Sequence, residues 1–588
     1  MKKKYRLTLS RNILILLFIF FVFTTTGFGE NLNQRHLFFC LDSVPYSVFM
    51  KAKNKGLFNN FENPSRMIST FPALTNYAWS VILNAGEVEG YQTRYYDPVM
   101  NRLEGGFKDL FKSKGFPNKF DYIQENLITQ LQAYIFGWSA IDKKMNNLGE
   151  KVLSSNMPRL FFAFIGISDN IAHMKGEKGL DEILLAVDAH LKQIQEEHLK
   201  KFNEPLEVTM LSDHASTLQK GQVINIYKTL KEGNFNPVKN LNNPDDVIYH
   251  TSGILSVAPF FIQEPRREEL AHMLAEQPWA ELTATYNKRT GHFLILSQTG
   301  SIEFEYSKKN NAFRMKNLKG EDPSGLTEEG LALEEWIPQS DVFQASFKTN
   351  FPDGLKRIQM SLNGNIVKYP ASVLVSIKYG YESSSSRFLN WFSGIKKSRH
   401  GTHGGLAALD SIGFISSTRQ VFPEWMSAYE IQDQIKDLNF ALRYEDMTFL
   451  WNDDGTCRMR LGQELLDLAG AESIQFYIKT LANEKYTLSN TRDIFAVNLS
   501  SQNKGNGQAE SEGIFDVPLP SSINSGYIYR IEAHVLNFEK NIIAQTKTKP
   551  FRIKHVRGYL RIPLQNYFSQ PKKNSKRQWA HAKQIVSH

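Results

Sequence analysis

An α/β fold built on an open, mostly parallel sheet is what this sequence predicts, and three observations carry the prediction. First, short apolar segments run straight into acidic residues: His36-Leu37-Phe38-Phe39-Cys40-Leu41-Asp42, the stretch 161–169 ending at Asp169, and Val208-Thr209-Met210-Leu211-Ser212-Asp213. Buried strands that end in Asp are expected where a ligand site lies beyond the strand C-termini of such a sheet. Second, between the last two of these segments, Ile183, Leu184, Val187, Leu191 and Ile194 recur at helical spacing among charges. The resulting strand–helix–strand unit favours parallel pairing. Third, 588 residues exceed what one core holds, so two to four domains are expected.

Taken along the chain, residues 1–29 read as a secretory signal peptide. Lys2, Lys3, Lys4, Arg6 and Arg11 precede an apolar run over 13–23, and Gly27 and Gly29 offer small residues for cleavage. The run is short of the roughly 20 residues a membrane span needs. Export to the periplasm or the cell exterior is therefore expected. An uncleaved N-terminal anchor is the alternative, and the one route to membrane contact. Residues 30–235 form the first part of an α/β core. Over 236–345, strand-like stretches at 282–286, 292–297 and 301–306 alternate with Lys288-Arg289-Thr290-Gly291 and Gln298-Thr299-Gly300 turns. These predict a small β-containing insertion above the strand ends. Residues 346–435 return to the core sheet, with strands over 371–377 and 413–416. Residues 440–570 read as a separate C-terminal β-rich domain, and 571–588 as a basic, disordered tail.

The formal charge of +9 is concentrated at the two ends. The five basic residues already named and Lys572, Lys573, Lys576, Arg577 and Lys583 supply ten charges, and removing them leaves about −1 for the body. No general nucleic-acid-binding surface is supported. Cys40 and Cys457 are distant in sequence, and Cys40 sits inside a strand as a small apolar group, so no disulfide is expected. An exported chain without disulfides suits a bacterial envelope.

The candidate site residues come from five places. Asp42 follows the first strand. Thr70-Phe71-Pro72-Ala73-Leu74-Thr75-Asn76 opens a helix-like stretch. Asp169 and His173 are four apart, Asp213 and His214 are adjacent, and His403 lies in Gly401-Thr402-His403-Gly404. Six Asp and His side chains with one hydroxyl are an inventory for two clustered divalent cations, zinc suiting the donors best. The order of these pieces resembles the alkaline phosphatase superfamily, and within it the type I phosphodiesterase/nucleotide pyrophosphatase family. That family shows the same Asp, Thr near Phe-Pro, Asp-x-x-x-His, Asp-His and Gly-x-His-Gly in the same order. The resemblance covers about residues 35–435.

It implies an alkaline-phosphatase-like, mostly parallel sheet sandwiched by helices. It also implies an exported two-metal phosphoric ester hydrolase working through a phospho-threonine on Thr75. Asp42, Thr75, Asp213 and His214 would hold one metal ion, and Asp169, His173 and His403 the other. The substrate would be a small phosphate ester or nucleotide-like molecule, with no nucleic acid as a dedicated partner and no expectation for oligomeric state. In one place the sequence departs from the family, whose phosphodiesterases place an Asn shortly before Tyr-Asp-Pro to bind a phosphate oxygen. Here Tyr96-Asp97-Pro98 follows Thr93 and Arg94. A guanidinium can pair bidentately with a phosphate dianion and so favour monoesters; Asn76 is a further candidate donor.

Each residue also has an ordinary role. Thr75 could cap its helix, Asp42 and Asp213 could be turn acids, and His173 could be a surface histidine. Thr70 rivals Thr75 as nucleophile, and His400 rivals His403. The competing functions are a phosphomonoesterase on the same site, an envelope phosphotransferase, and an inactive envelope binding protein. A sulfatase is disfavoured, because no Cys/Ser-x-Pro-x-Arg motif stands at the nucleophile.

Overall fold

The computed structural model describes residues 35–106, 116–123, 138–155, 157, 160–250, 253–383 and 400–434, and the backbone of strands between 448 and 552. The expected signal peptide at 1–29 and basic tail at 571–588 lie outside the described residues. No described helix is long and apolar enough to cross a membrane.

Seven strands form the first sheet: β1 (His36–Leu41), β2 (Ser65–Ile68), β3 (Tyr122–Ile123), β4 (Leu160–Ile165), β5 (Glu207–Ser212), β6 (Ile412–Ser417) and β7 (Trp425–Ser427). Their order is β7-β2-β6-β5-β1-β4-β3. The pairs β1–β4, β1–β5, β3–β4 and β2–β7 are parallel, and β6 alone runs antiparallel, between β2 and β5. Every residue of β1, β4 and β5 is buried, because both faces are covered. Phe38 and Cys40 of β1 pack with Phe162 and Phe164 of β4 on one face; Leu37, Phe39 and Leu41 pack with Phe161, Ala163 and Ile165 on the other. Helices α1 (Tyr46–Asn54), α3 (Trp138–Val152) and α4 (Ile167–Phe202) cover the second face, and α2 (Thr75–Ile82) the first. Cys40 is a buried free thiol.

Two expectations need correction here. Asp169 does not end a strand: β4 stops at Ile165, and Gly166 turns the chain into α4, so Asp169 and His173 sit on its first two turns. The apolar run continues through that turn because Ile167 and Ile171 face the core. The second correction concerns Val373–Ile377, which does not rejoin the first sheet. It is an inner strand of a nine-stranded sheet, paired antiparallel with Val257–Ile262 and Ala280–Asn287. An apolar run reads alike in a parallel core strand and in an antiparallel strand covered on both faces. Here Leu374 packs into one core, and Val373, Val375 and Ile377 into another. With strands from Asn236–Pro237 to Trp336–Pro338, this second sheet is larger than the small insertion expected. The strands between 448 and 552 form a three-stranded and a five-stranded antiparallel sheet.

Buried polar side chains brace the second sheet and its junction with the first. Arg357, fully buried, donates to the carbonyls of Thr70, Pro352 and Leu406. Asp353 accepts from Ser427, Asp410 from Ser256 and Glu281 from Ser376. Burial pushes these carboxyls up, Asp353 and Glu281 to about 7 and Asp410 to about 8. The folded chain therefore holds protons that the unfolded chain releases near its ordinary carboxylate range, so stability falls as pH rises through 7 to 8. His214 and His403, held down by burial, act with the opposite sign, but only below about pH 6.5. The urea midpoint of the metal-free protein should drop between pH 6.5 and 8.5, and Asp410→Asn should make that drop shallower; a flat wild-type profile would contradict the buried acids.

Candidate metal centre and nucleophile

The site assembles where β1, β5 and the turn after β4 end. Asp42 follows β1 and Asp213 follows β5, and parallel pairing in register (Leu41 beside Ser212 and Ile165) brings these ends together. Ser168 fixes the turn: it accepts from the Asp42 N–H at 3.0 Å and donates to the Asp42 carbonyl at 2.6 Å. His403 arrives on a turn bound to the second sheet by the Ser256 N–H, which donates to the His403 carbonyl at 2.8 Å. Its glycine neighbours are required. Gly401 and Gly404 have φ of 82° and 111°, and a Cβ on Gly404 would lie 2.8 Å from Val257 Cγ1.

Two clusters result. In each of Asp42/Asp213/His214 and Asp169/His173/His403, one ligand atom per residue lies within 4.8 Å of the others. The clusters adjoin, with the His403 ring 4.3 Å from that of His214 and 5.3 Å from that of His173. Thr75 joins the first: its hydroxyl donates to Asp42 Oδ1 at 3.2 Å and lies 3.4 Å from His214 Nε2. Thr75 is the first residue of α2 after an N-cap at Leu74, and no side chain caps the helix, so its hydroxyl is not spent on capping. The rival Thr70 is buried and donates to the Pro72 carbonyl at 2.8 Å. His400 belongs to neither cluster; its backbone N–H donates to the His173 carbonyl.

All three imidazoles are oriented alike. Nδ1 of His214, His173 and His403 lies 3.0, 3.0 and 3.1 Å from the carbonyls of Ala215, Gly401 and Ala73. A carbonyl accepts only, so Nδ1 carries a proton in each ring; in His214 and His403, which burial keeps neutral, Nε2 then presents a lone pair. The Nε2 atoms face carboxylates: His214 Nε2 is 3.4 Å from Asp213 Oδ2 and 3.5 Å from Asp42 Oδ1, and Nε2 of His173 and His403 are 3.3 and 3.6 Å from Asp169 Oδ1. Asp169 Oδ1 and Asp213 Oδ2 are buried with no hydrogen-bond partner. The His214 and His403 lone pairs, aimed at carboxylate oxygens, repel them unless a cation lies between, and the buried carboxylate–imidazole donor set fits divalent metal ions. Burial lowers His214 to about 4 and His403 to about 3, which keeps both neutral. Burial and the nearby Asp169 charge push Asp213 well up, while at Asp169 the His173 and His403 imidazoles outweigh burial and hold the carboxyl below its ordinary range. At His173 the Asp169 carboxylate outweighs burial and raises the imidazole.

The expected substrate-binding residues lie less close. A small recess is lined by Pro72, Leu74, Tyr91, Tyr95, Phe261 and Tyr369, Leu74 being the residue before the nucleophile. Arg94 lines it and is exposed; Thr93 and Asn76 do not line it. His250, which the sequence did not single out, also lines it, buried and with Nε2 lacking a partner. Nothing in the spacing around His250 signals this, since a strand from the second sheet delivers it. Excess zinc should raise the thermal midpoint of the full-length protein; a site filled at 1,000 times its dissociation constant adds about 4 kcal/mol. The Asp213→Asn/His403→Ala double variant should show no such rise, and a wild-type midpoint indifferent to zinc would count against the metal centre.

No family model and no curated protein matches the chain. Among solved structures it is similar to human ectonucleotide pyrophosphatase/phosphodiesterase 5, with a TM-score of 0.40 and 13% identity over 69% of this chain and 95% of that one. It is similar also to the murine counterpart, in an inactive variant in complex with AMP (TM-score 0.39, 13% identity, 69% and 94% covered) and without that substitution (0.38, 13%, 69% and 95%). These proteins are of the kind that the motif order resembles, at a distance that says nothing by itself about activity.

Proposed function

We propose that the chain is an exported, metal-dependent phosphoric ester hydrolase that cleaves phosphodiester or pyrophosphate bonds through Thr75. The observation that carries this reading is the Thr75 hydroxyl held against Asp42 and His214 at the opening of α2, with the second cluster alongside. Asp42, Thr75, Asp213 and His214 would hold one divalent ion and Asp169, His173 and His403 the other, zinc matching the mixed carboxylate–imidazole donors best. When bound, such ions supply charge neutralisation at the phosphoryl oxygens and acidify a coordinated hydroxyl or water.

The chain's own residues then do the following. Thr75 Oγ, oriented by the hydrogen bond it donates to Asp42, would give up its proton and attack phosphorus as the scissile P–O bond breaks and the alcohol or phosphate leaving group departs. Water would then cleave the phospho-threonine, restoring the hydroxyl and releasing the phosphate product. The free N–H groups of the first turn of α2 face the arriving phosphate at the positive end of the helix. Nδ1–H bonds to backbone carbonyls fix the three imidazoles, so no reorientation is needed during the reaction. The largely apolar recess beside Leu74 gives the organic group of an ester a place to bind, which favours a diester or nucleotide-like substrate over a bare monoester. Arg94, at the edge of the recess, supports a second reading, a phosphomonoesterase, through pairing with a phosphate dianion. The complete ligand set speaks against an inactive binding protein. Export rests on the layout of residues 1–29.

With zinc supplied, bis-p-nitrophenyl phosphate should be cleaved faster than p-nitrophenyl phosphate. Thr75→Ala should lower kcat on the order of 10³-fold or more, and Thr75→Ser should restore part of it. Turnover unaltered in Thr75→Ala would refute the nucleophile. A monoester preference abolished by Arg94→Ala would establish the second reading instead.

A further inference from the structure

The turn that carries His403 is gripped from the second sheet by two serines, each backed by a buried acid. Gly405 N–H donates to Ser256 Oγ at 3.1 Å, and Ser256 Oγ donates to Asp410 Oδ1 at 2.5 Å. One residue on, Leu406 N–H donates to Ser376 Oγ at 2.9 Å, and Ser376 Oγ donates to Glu281 Oε2 at 3.3 Å. Each hydroxyl therefore accepts from the turn and donates to a carboxyl, and that acceptor fixes the direction in which the hydroxyl proton points. The two serines are neighbours across the sheet: Ser256 directly precedes Val257, and Val257 pairs with Ser376. The fit is close. A Cβ on Gly405 would lie 2.6 Å from Asp410 Oδ2 and 3.2 Å from Ser376 Oγ. On its other side the turn meets the nucleophile segment, where Ala73 N–H donates to the Gly404 carbonyl at 3.1 Å and His403 Nδ1–H to the Ala73 carbonyl.

We propose that Ser256 and Ser376 are positioning residues for the His403 ligand, the pair through which the second sheet holds one of the two cation sites in shape. The inference rests on the two-cation reading above. A hydroxyl that accepts from the backbone of a ligand turn sets where the imidazole Nε2 sits. Loss of either hydroxyl leaves a buried turn N–H and a buried carboxyl without their partner. The effect falls on the Asp169/His173/His403 site, because Asp42, Asp213 and His214 are held by β1 and β5 and by Ser43, Ser168 and Ser212.

The test equilibrates full-length wild type, Ser256→Ala and Ser376→Ala with zinc buffers over a wide range of free zinc and reads bound zinc per chain. The same series is run in an Asp213→Asn background, where the His403 site is read alone. Wild type should bind two ions. Each serine variant should need about ten- to a hundred-fold more free zinc to fill the His403 site, with the other binding step unmoved. Ser256→Thr and Ser376→Thr, which keep the hydroxyl, should bind as wild type. Two unmoved binding steps in both alanine variants would overturn the inference while leaving the metal centre intact. So would two steps that weaken together with a lowered unfolding midpoint of the metal-free chain, the mark of a merely structural role. A wild type that binds no zinc would refute the two-cation reading and this inference with it.

Discussion

Lone pairs facing carboxylates are the constraint on which the rest of the structure depends. Three imidazoles spend their Nδ1 protons on backbone carbonyls and turn Nε2 toward three aspartates, in a pocket from which water is largely excluded. Two carboxylate oxygens there have no donor at all. Such an arrangement is costly in a chain of protein atoms alone and becomes favourable once positive charge lies between the groups. The orphaned oxygens and the neutral, Nε2-inward His214 and His403 together make a donor set that divalent cations fit.

The fold can be read as the means of holding that shape. Parallel register places the ends of β1, β4 and β5 side by side, so Asp42, Asp213 and the Asp169 turn converge without long loops. The reach of His403 is different, since it comes from far along the chain. Its turn needs positive φ at Gly401 and Gly404, a carbonyl from Ala73 on one side and the second sheet on the other. The nine-stranded sheet thus meets the site at two points: it supports the His403 turn and lines the recess next to Leu74.

The sequence showed some of this and concealed the rest for physical reasons. Strands β1, β4 and β5 announce themselves because burial on both faces makes them continuously apolar, and an Asp at such an end is conspicuous. His403 is legible because the flanking Gly401 and Gly404 match the Gly-x-His-Gly of the resemblance, and in the fold both glycines take positive φ. Asp169 was placed on a strand because Ile167 and Ile171 prolong the apolar run into α4. The apolar stretch 371–377 reads as part of the core sheet because such a run carries no record of which sheet buries it, and the fold puts Val373–Ile377 in the second sheet. His250, Ser256 and Ser376 could not be found from spacing at all. They matter through partners distant in sequence, 154 residues for Ser256 and Asp410 and 95 for Ser376 and Glu281, or through a cavity that exists only in the folded chain.

The measurement that bears most directly on the central claim is anomalous diffraction from crystals of the full-length protein grown with zinc, recorded on both sides of the zinc absorption edge. The account predicts two anomalous peaks. One should lie among Asp42, Thr75, Asp213 and His214, and the other among Asp169, His173 and His403, with all three Nε2 atoms as ligands. A map without peaks there, or with the imidazoles turned so that Nε2 donates to the aspartates, would contradict it.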